Sequence, residues 1–112
     1  MKTAQTKAKM HATASDFNVE RIEAVNIKAK GTLRGRKFMS PFVWDMPDGT
    51  VQLLLRGVPK KGAANAEGTG SIYFGTSEDG ITFTMDAEPV IAPSSDPDAP
   101  DNGGCEDPTV VH

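Results

Sequence analysis

Apolar residues are thinly spread and poorly phased up to residue 35, then gather into four short clusters divided by turn-forming residues. Lys37-Phe38-Met39-Ser40-Pro41-Phe42-Val43-Trp44 is aromatic and β-branched, which predicts a strand. Pro41 has no N–H to give to a ladder, so it belongs at an edge, a bulge or a strand start. Met46-Pro47-Asp48-Gly49 follows as a turn, with proline presetting φ and glycine accepting a positive φ. Thr50 to Val58 is the strongest strand, and its run of Val51, Leu53, Leu54 and Leu55 predicts burial on both faces. Arg56 interrupts that run. Ser71 to Thr76 predicts a third strand, and Glu78-Asp79-Gly80 a tight hairpin turn. In Ile81-Thr82-Phe83-Thr84-Met85 the apolar residues alternate cleanly, which predicts a fourth strand with one buried face.

The flanking segments carry less pattern. Residues 1–15 read as a tail, and 1–30 together as a tail and lead-in before a β unit spanning 31–112. Asp16 is placed to cap a short helix, whereas Val25-Asn26-Ile27 alternates like a strand; an extended segment after Ile22 is the preferred reading. Lys60 to Gly70 is a polar loop of small residues, without the Lys-Ser/Thr ending of a phosphate-binding loop. Asp86 to Gly104 is a long loop rich in Asp, Pro and Ser, of the length that is usually functional or disordered. The chain finishes on Gly103-Gly104-Cys105-Glu106-Asp107-Pro108 and then the opening of an apolar strand, Val110-Val111. The expectation is an N-terminal piece of a longer enzyme.

Composition narrows the function classes. Only 38% of residues are apolar and 6% aromatic, little for an all-β core that stands alone, and eleven Gly with eight Pro imply many turns. The net charge of −3 hides an asymmetry, basic before position 62 and mostly acidic after it. No dense basic cluster with interleaved aromatics occurs, so nucleic acid is not an expected partner. No run approaches the ~20 apolar residues of a membrane span, and the first fifteen residues lack the apolar centre of a secretory signal. A single cysteine, Cys105, cannot form an internal disulfide; that fits a reducing compartment and predicts a cytoplasmic location. His11 and His112 share no local spacing with Cys105, so neither a metal site nor a cysteine nucleophile with a visible base is expected.

Four strands joined by short turns make an antiparallel meander, and a meander followed by a long loop and a new strand is the layout of a propeller blade and its exit. The residues carrying this pattern resemble a known family. Ser40-Pro41-Phe42-Val43-Trp44, Leu53-Leu54-Leu55-Arg56-Gly57-Val58 and Ile72-Tyr73-Phe74-Gly75-Thr76-Ser77-Glu78-Asp79-Gly80-Ile81-Thr82-Phe83 resemble blade one of glycoside hydrolase family 130. That family comprises five-bladed β-propellers, mainly β-mannoside phosphorylases with some mannosidases. Glu88-Pro89-Val90-Ile91-Ala92-Pro93 is similar to the exit from that blade, and Gly104-Cys105-Glu106-Asp107-Pro108 to the acidic turn that begins blade two. The resemblance covers residues 36–112. It implies an all-β fold consisting of the first blade and the start of the second, with the chain truncated. The chain departs from the family pattern at two places: Thr109 stands where arginine is common, and Met39-Ser40 where an asparagine is common.

The resemblance also implies roles. Asp107 falls on the general acid, and Arg56 on an arginine that contacts the sugar, with Glu106 beside it as a second substrate-binding candidate. Cleaving a glycosidic bond needs a proton on the leaving oxygen, which a carboxylic acid supplies. Pro108 should push Asp107 into an extended conformation, and Gly103-Gly104 should let the chain turn before it. On a strand Glu106 would point to the opposite face, so the two carboxyls are not expected to work as an acid/base pair. The alternative for Glu106-Asp107-Pro108 is a solvated turn. A charge in an apolar strand must be paired or face a cavity. Arg56 is therefore either a sugar or carboxylate clamp or an edge residue whose head reaches water. Ser77 to Phe83 loosely resembles the Asp-box of sialidase propellers but is one residue short, and a structural turn is preferred. Trp44, Tyr73 and Phe74 either stack on a sugar or pack in the core, the core being preferred for Phe74 and Trp44.

The leading expectation is thus an enzyme fragment that cleaves β-mannosides or related oligosaccharides, inactive by itself because other blades complete the site. No cofactor is expected; inorganic phosphate would be the co-substrate of a phosphorylase. The competing expectations are a non-catalytic β module that binds glycans or proteins, and a small independent domain.

Overall fold

A computed structural model describes residues 17–60 and 69–111. The tail at residues 1–15 and most of the Lys60 to Gly70 loop lie outside the described residues. The described part is all-β. Strands β1 (Asn26–Lys28), β2 (Lys37–Asp45), β3 (Val51–Val58), β4 (Ser71–Ser77) and β5 (Thr82–Met85) form one sheet in the order β1-β5-β4-β3-β2.

β2 to β5 run as the antiparallel meander expected from the pattern. The sheet as a whole is mixed and five-stranded, because β1 adds to the far side of β5 in parallel, with Ile27 opposite Phe83. A parallel pair needs a long connection, and here the whole meander supplies it. Three residues with one half-buried apolar side chain leave almost no period to read, so β1 appears in the sequence only as an extended segment. Between β1 and β2 the chain makes a 3-10 turn at Gly31–Leu33 that seats Leu33 in the core.

The core is small. Leu33, Leu53, Leu55, Tyr73, Phe83 and Met85 are buried together, with Ile27, Ala29 and Val51 packed against them. β3 corrects the expectation of burial on both faces. Leu53, Leu55 and Gly57 are buried, whereas Gln52, Leu54, Arg56 and Val58 alternate with them half-buried. On that second face the register sets Phe42 and Phe74 beside Leu54. Trp44 lies between the two phenylalanine rings, with centroids 6.0 and 6.4 Å away. Tyr73 is wholly buried, so it is a core residue and not a platform for a sugar. Its hydroxyl shares a 2.8 Å hydrogen bond with Thr32 Oγ1, and the Arg36 guanidinium sits 5.8 Å from its ring centre.

The turns follow their residues. Gly49 takes φ of 91° and Asp48 Oδ1 accepts from both the Thr50 N–H and hydroxyl. The ladder of β2 with β3 shifts register between Met39 and Phe42. Pro41, which cannot donate, therefore lies at a bulge on an edge strand, as its chemistry demands. After β5 the chain bridges Ile91 to Ile72 on β4, passes through the Asp- and Pro-rich loop, and returns to the sheet at Cys105, whose N–H donates to the Gly70 carbonyl at 2.9 Å.

Candidate functional site

The acidic turn folds back onto the end of the sheet where β2 bulges. Gly104 takes φ of 122°, a conformation that glycine adopts without penalty, and directs the chain against Gly70. Arg56, projecting from β3 beside Met39, meets the turn there. Its Nε donates to the Cys105 carbonyl at 2.8 Å, and Nη2 lies 3.8 Å from Glu106 Oε2. The Met39 sulfur is 3.8 Å from Nη1. Arg56 is thus paired, the first of the two options for a charge in an apolar strand. The backbone hydrogen bond is the firm part of that pairing. The ion pair is long, and the Glu106 side chain is 69% exposed against 17% for Arg56, so solvent screens most of it.

Gly70 makes this approach possible. A Cβ at that position would stand 2.6 Å from Arg56 Nε and 3.1 Å from the Cys105 carbonyl oxygen. The Cys105 thiol is pushed above its ordinary pKa by burial and then by the charge of Asp101, against the opposing charge of Arg56. That disfavours the thiolate. Among the described residues no cluster of three or more His, Cys, Asp or Glu is arranged to hold a metal ion.

Asp107 reaches the first strand of the meander. Its Oδ1 accepts a 2.7 Å hydrogen bond from the Ser40 hydroxyl, across 67 positions of sequence. The extended conformation expected before Pro108 is not adopted: Asp107 has φ of 44°. The turn is tied two residues upstream, where Cys105 bonds Arg56 and Gly70, and at the Asp107 side chain itself by Ser40. Asp107 is solvent-exposed, as is Glu106. The two carboxyls have different partners, Glu106 meeting Arg56 and Asp107 meeting Ser40. A groove of about 550 Å³ lies nearby, lined by Arg36, Thr69, Ser71, Ser94, Asn102 and Gly103 among others, and Asp107 stands outside it.

The structure therefore gathers the three candidates, Arg56, Glu106 and Asp107, at one end of the sheet. Two more residues join them, Ser40 and Gly70. Ser40 was visible only as the small residue before Pro41, and Gly70 only as the end of a polar loop. Asp79, by contrast, is a turn residue. Its Oδ1 accepts from the Ile81 and Thr82 N–H groups at 2.8 and 3.0 Å and from the Ser77 hydroxyl at 2.9 Å. Searches against family models, characterised proteins and solved structures returned no match for the chain.

Proposed function

We propose that this chain supplies the first blade and the acid-bearing turn of a five-bladed propeller enzyme similar to glycoside hydrolase family 130, acting on β-mannosides or related oligosaccharides. Asp107 is the general acid in this reading. It protonates the glycosidic oxygen as the bond to the anomeric carbon breaks. Phosphate, or a water activated by a second carboxylate ~6.5–9.5 Å from the acid, attacks that carbon from the opposite side and inverts it. The observation that carries the reading is the return of the acidic turn to β2, with Asp107 held against Ser40. The half-buried ring face of Phe42, Trp44 and Phe74 supports it, since a blade packs both faces against its neighbours. Arg56 contributes by fixing the turn; a sugar contact would use the side of the guanidinium turned away from Cys105. Cytoplasmic action on free oligosaccharide, with no cofactor beyond phosphate, belongs to the same reading.

The test is turnover of β-mannobiose by the full-length protein, with and without inorganic phosphate, and identification of the products. Asp107→Asn should lower kcat by about 10²–10⁴, the usual worth of general acid catalysis, while leaving the fold intact. Near-normal turnover in that variant rejects Asp107 as the acid. The exposure of Asp107 and the commitment of Arg56 to a backbone carbonyl favour one second reading, a non-catalytic module that binds glycans or proteins. Titration calorimetry showing mannooligosaccharide binding without cleavage would support it.

A further inference from the structure

Among the described residues, two that are not glycine have a positive φ: Ser40 at 50° and Asp107 at 44°. Each immediately precedes a proline, Pro41 and Pro108, a position that normally holds the backbone in the extended region. Each is therefore held away from its preferred conformation, and their side chains meet in the 2.7 Å hydrogen bond. Serine gains nothing locally from a left-handed backbone, and Ser40 sits in the bulge of β2, a device that re-aims side chains near functional sites.

We infer that Ser40 is a positioning residue for Asp107: the β2 bulge turns its hydroxyl onto Oδ1, which fixes the carboxyl plane and leaves Oδ2 to carry the proton. This rests on Asp107 being the acid. Holding one carboxyl oxygen removes the freedom of an exposed side chain to swing, and proton transfer depends steeply on that placement. The hydroxyl can donate to the ionised carboxylate or to the carbonyl oxygen of the protonated one, so the same contact serves before and after the proton leaves.

Two substitutions separate the hydroxyl from the backbone it sits on. Ser40→Gly accepts the positive φ and removes the donor. Ser40→Asn tolerates the left-handed region and restores a donor through its amide. In the full-length protein acting on β-mannobiose, Ser40→Gly should lower kcat about 10- to 100-fold with KM within about twofold, the size of a misplacement effect. Ser40→Asn should recover most of the loss. Crystal structures of the same proteins should show one Asp107 rotamer in the wild type and several in Ser40→Gly. A kcat for Ser40→Gly within about twofold of wild type overturns the inference, and so does a change confined to KM, which would make Ser40 a substrate contact. If Asp107→Asn is inactive while Ser40→Gly is normal, the positioning role alone fails. If Asp107→Asn is active, the acid assignment fails, and the rotamer comparison still decides whether Ser40 holds Asp107.

Discussion

Two acidic turns on this sheet look alike in sequence and differ in what satisfies them. Asp79 closes the β4–β5 hairpin, and every hydrogen bond given to its Oδ1 comes from within three residues. Ser77 completes the network by accepting from the Asp79 and Gly80 N–H groups. Asp107 has no such local network. Its partner is Ser40, and the turn that carries it is pinned by Arg56 and Gly70 from other parts of the sheet. A self-contained turn needs its carboxylate for shape. A turn shaped by distant residues can expose its carboxylate for another purpose. The contrast identifies Asp79 as a turn residue; the catalytic role of Asp107 rests on the reading proposed above.

The largest effects should come from exchanging the two roles. Asp107→Asn is expected to lower turnover by the orders of magnitude given above, with little change in Tm. Asp79→Ala should do the reverse, lowering Tm while leaving kcat within about twofold, because it removes the acceptor that organises Ile81 and Thr82. Melting curves and steady-state kinetics on both variants decide it. If Asp79→Ala abolishes turnover without a loss of stability, or Asp107→Asn unfolds the protein without touching kcat, the contrast is wrong.

A smaller effect should follow from loosening the distant support. Gly70→Ala places a methyl group against Arg56 Nε and the Cys105 carbonyl, so the turn must lift or the arginine must swing away. Losing the Arg56–Cys105 hydrogen bond and crowding this contact should cost about 1–3 kcal/mol in denaturant unfolding. Turnover should fall by about tenfold as Asp107 loses its bearing. A stability loss with unchanged turnover would mean that Asp107 is positioned by Ser40 alone.

The legible part of the fold was the part held together by local period and turn chemistry. Strands β2 to β5 announce themselves through alternating or β-branched runs, and Pro41 through its missing N–H. The β3 leucines misled because a continuous apolar run reads as two fully buried faces, whereas Leu53 and Leu55 are buried and Leu54 lies half-buried beside the Phe42 and Phe74 rings. β1 was barely legible since a three-residue parallel strand depends on a partner more than fifty positions away. Tyr73 was ambiguous because two of the residues it meets, Leu33 in the core and Thr32 at its hydroxyl, come from the turn before β2, about forty positions away. At the site, Asp107, Glu106 and Arg56 could be named from residue type and resemblance. Ser40 and Gly70 could not, since one matters through a bulge and the other through the absence of a side chain.

The smallest expected effect tests the self-contained turn by pH. The three hydrogen bonds to Asp79, from Thr82, Ile81 and then Ser77, hold its carboxyl at about 2, below the ordinary 3.8. Those bonds favour the ionised form, so their contribution to stability is present above about pH 4, where the unfolded chain is also ionised. It is lost as the pH falls through the folded value near 2. Asp48 is held low in the same direction by Thr50, and acid weakens both hairpin turns together. The difference in Tm between wild type and Asp79→Asn isolates the Asp79 share. Because the carboxyl is fully exposed, solvent keeps that difference modest. It should be largest at pH 6, shrink steadily below pH 4 and nearly vanish by pH 2, where the wild-type side chain is itself becoming neutral. A difference that stays constant down to pH 2, or that opens only in acid, would mean that Asp79 stabilises the hairpin through something other than its negative charge. The distinction between the locally satisfied aspartate and the one held from a distance would then lose its physical basis.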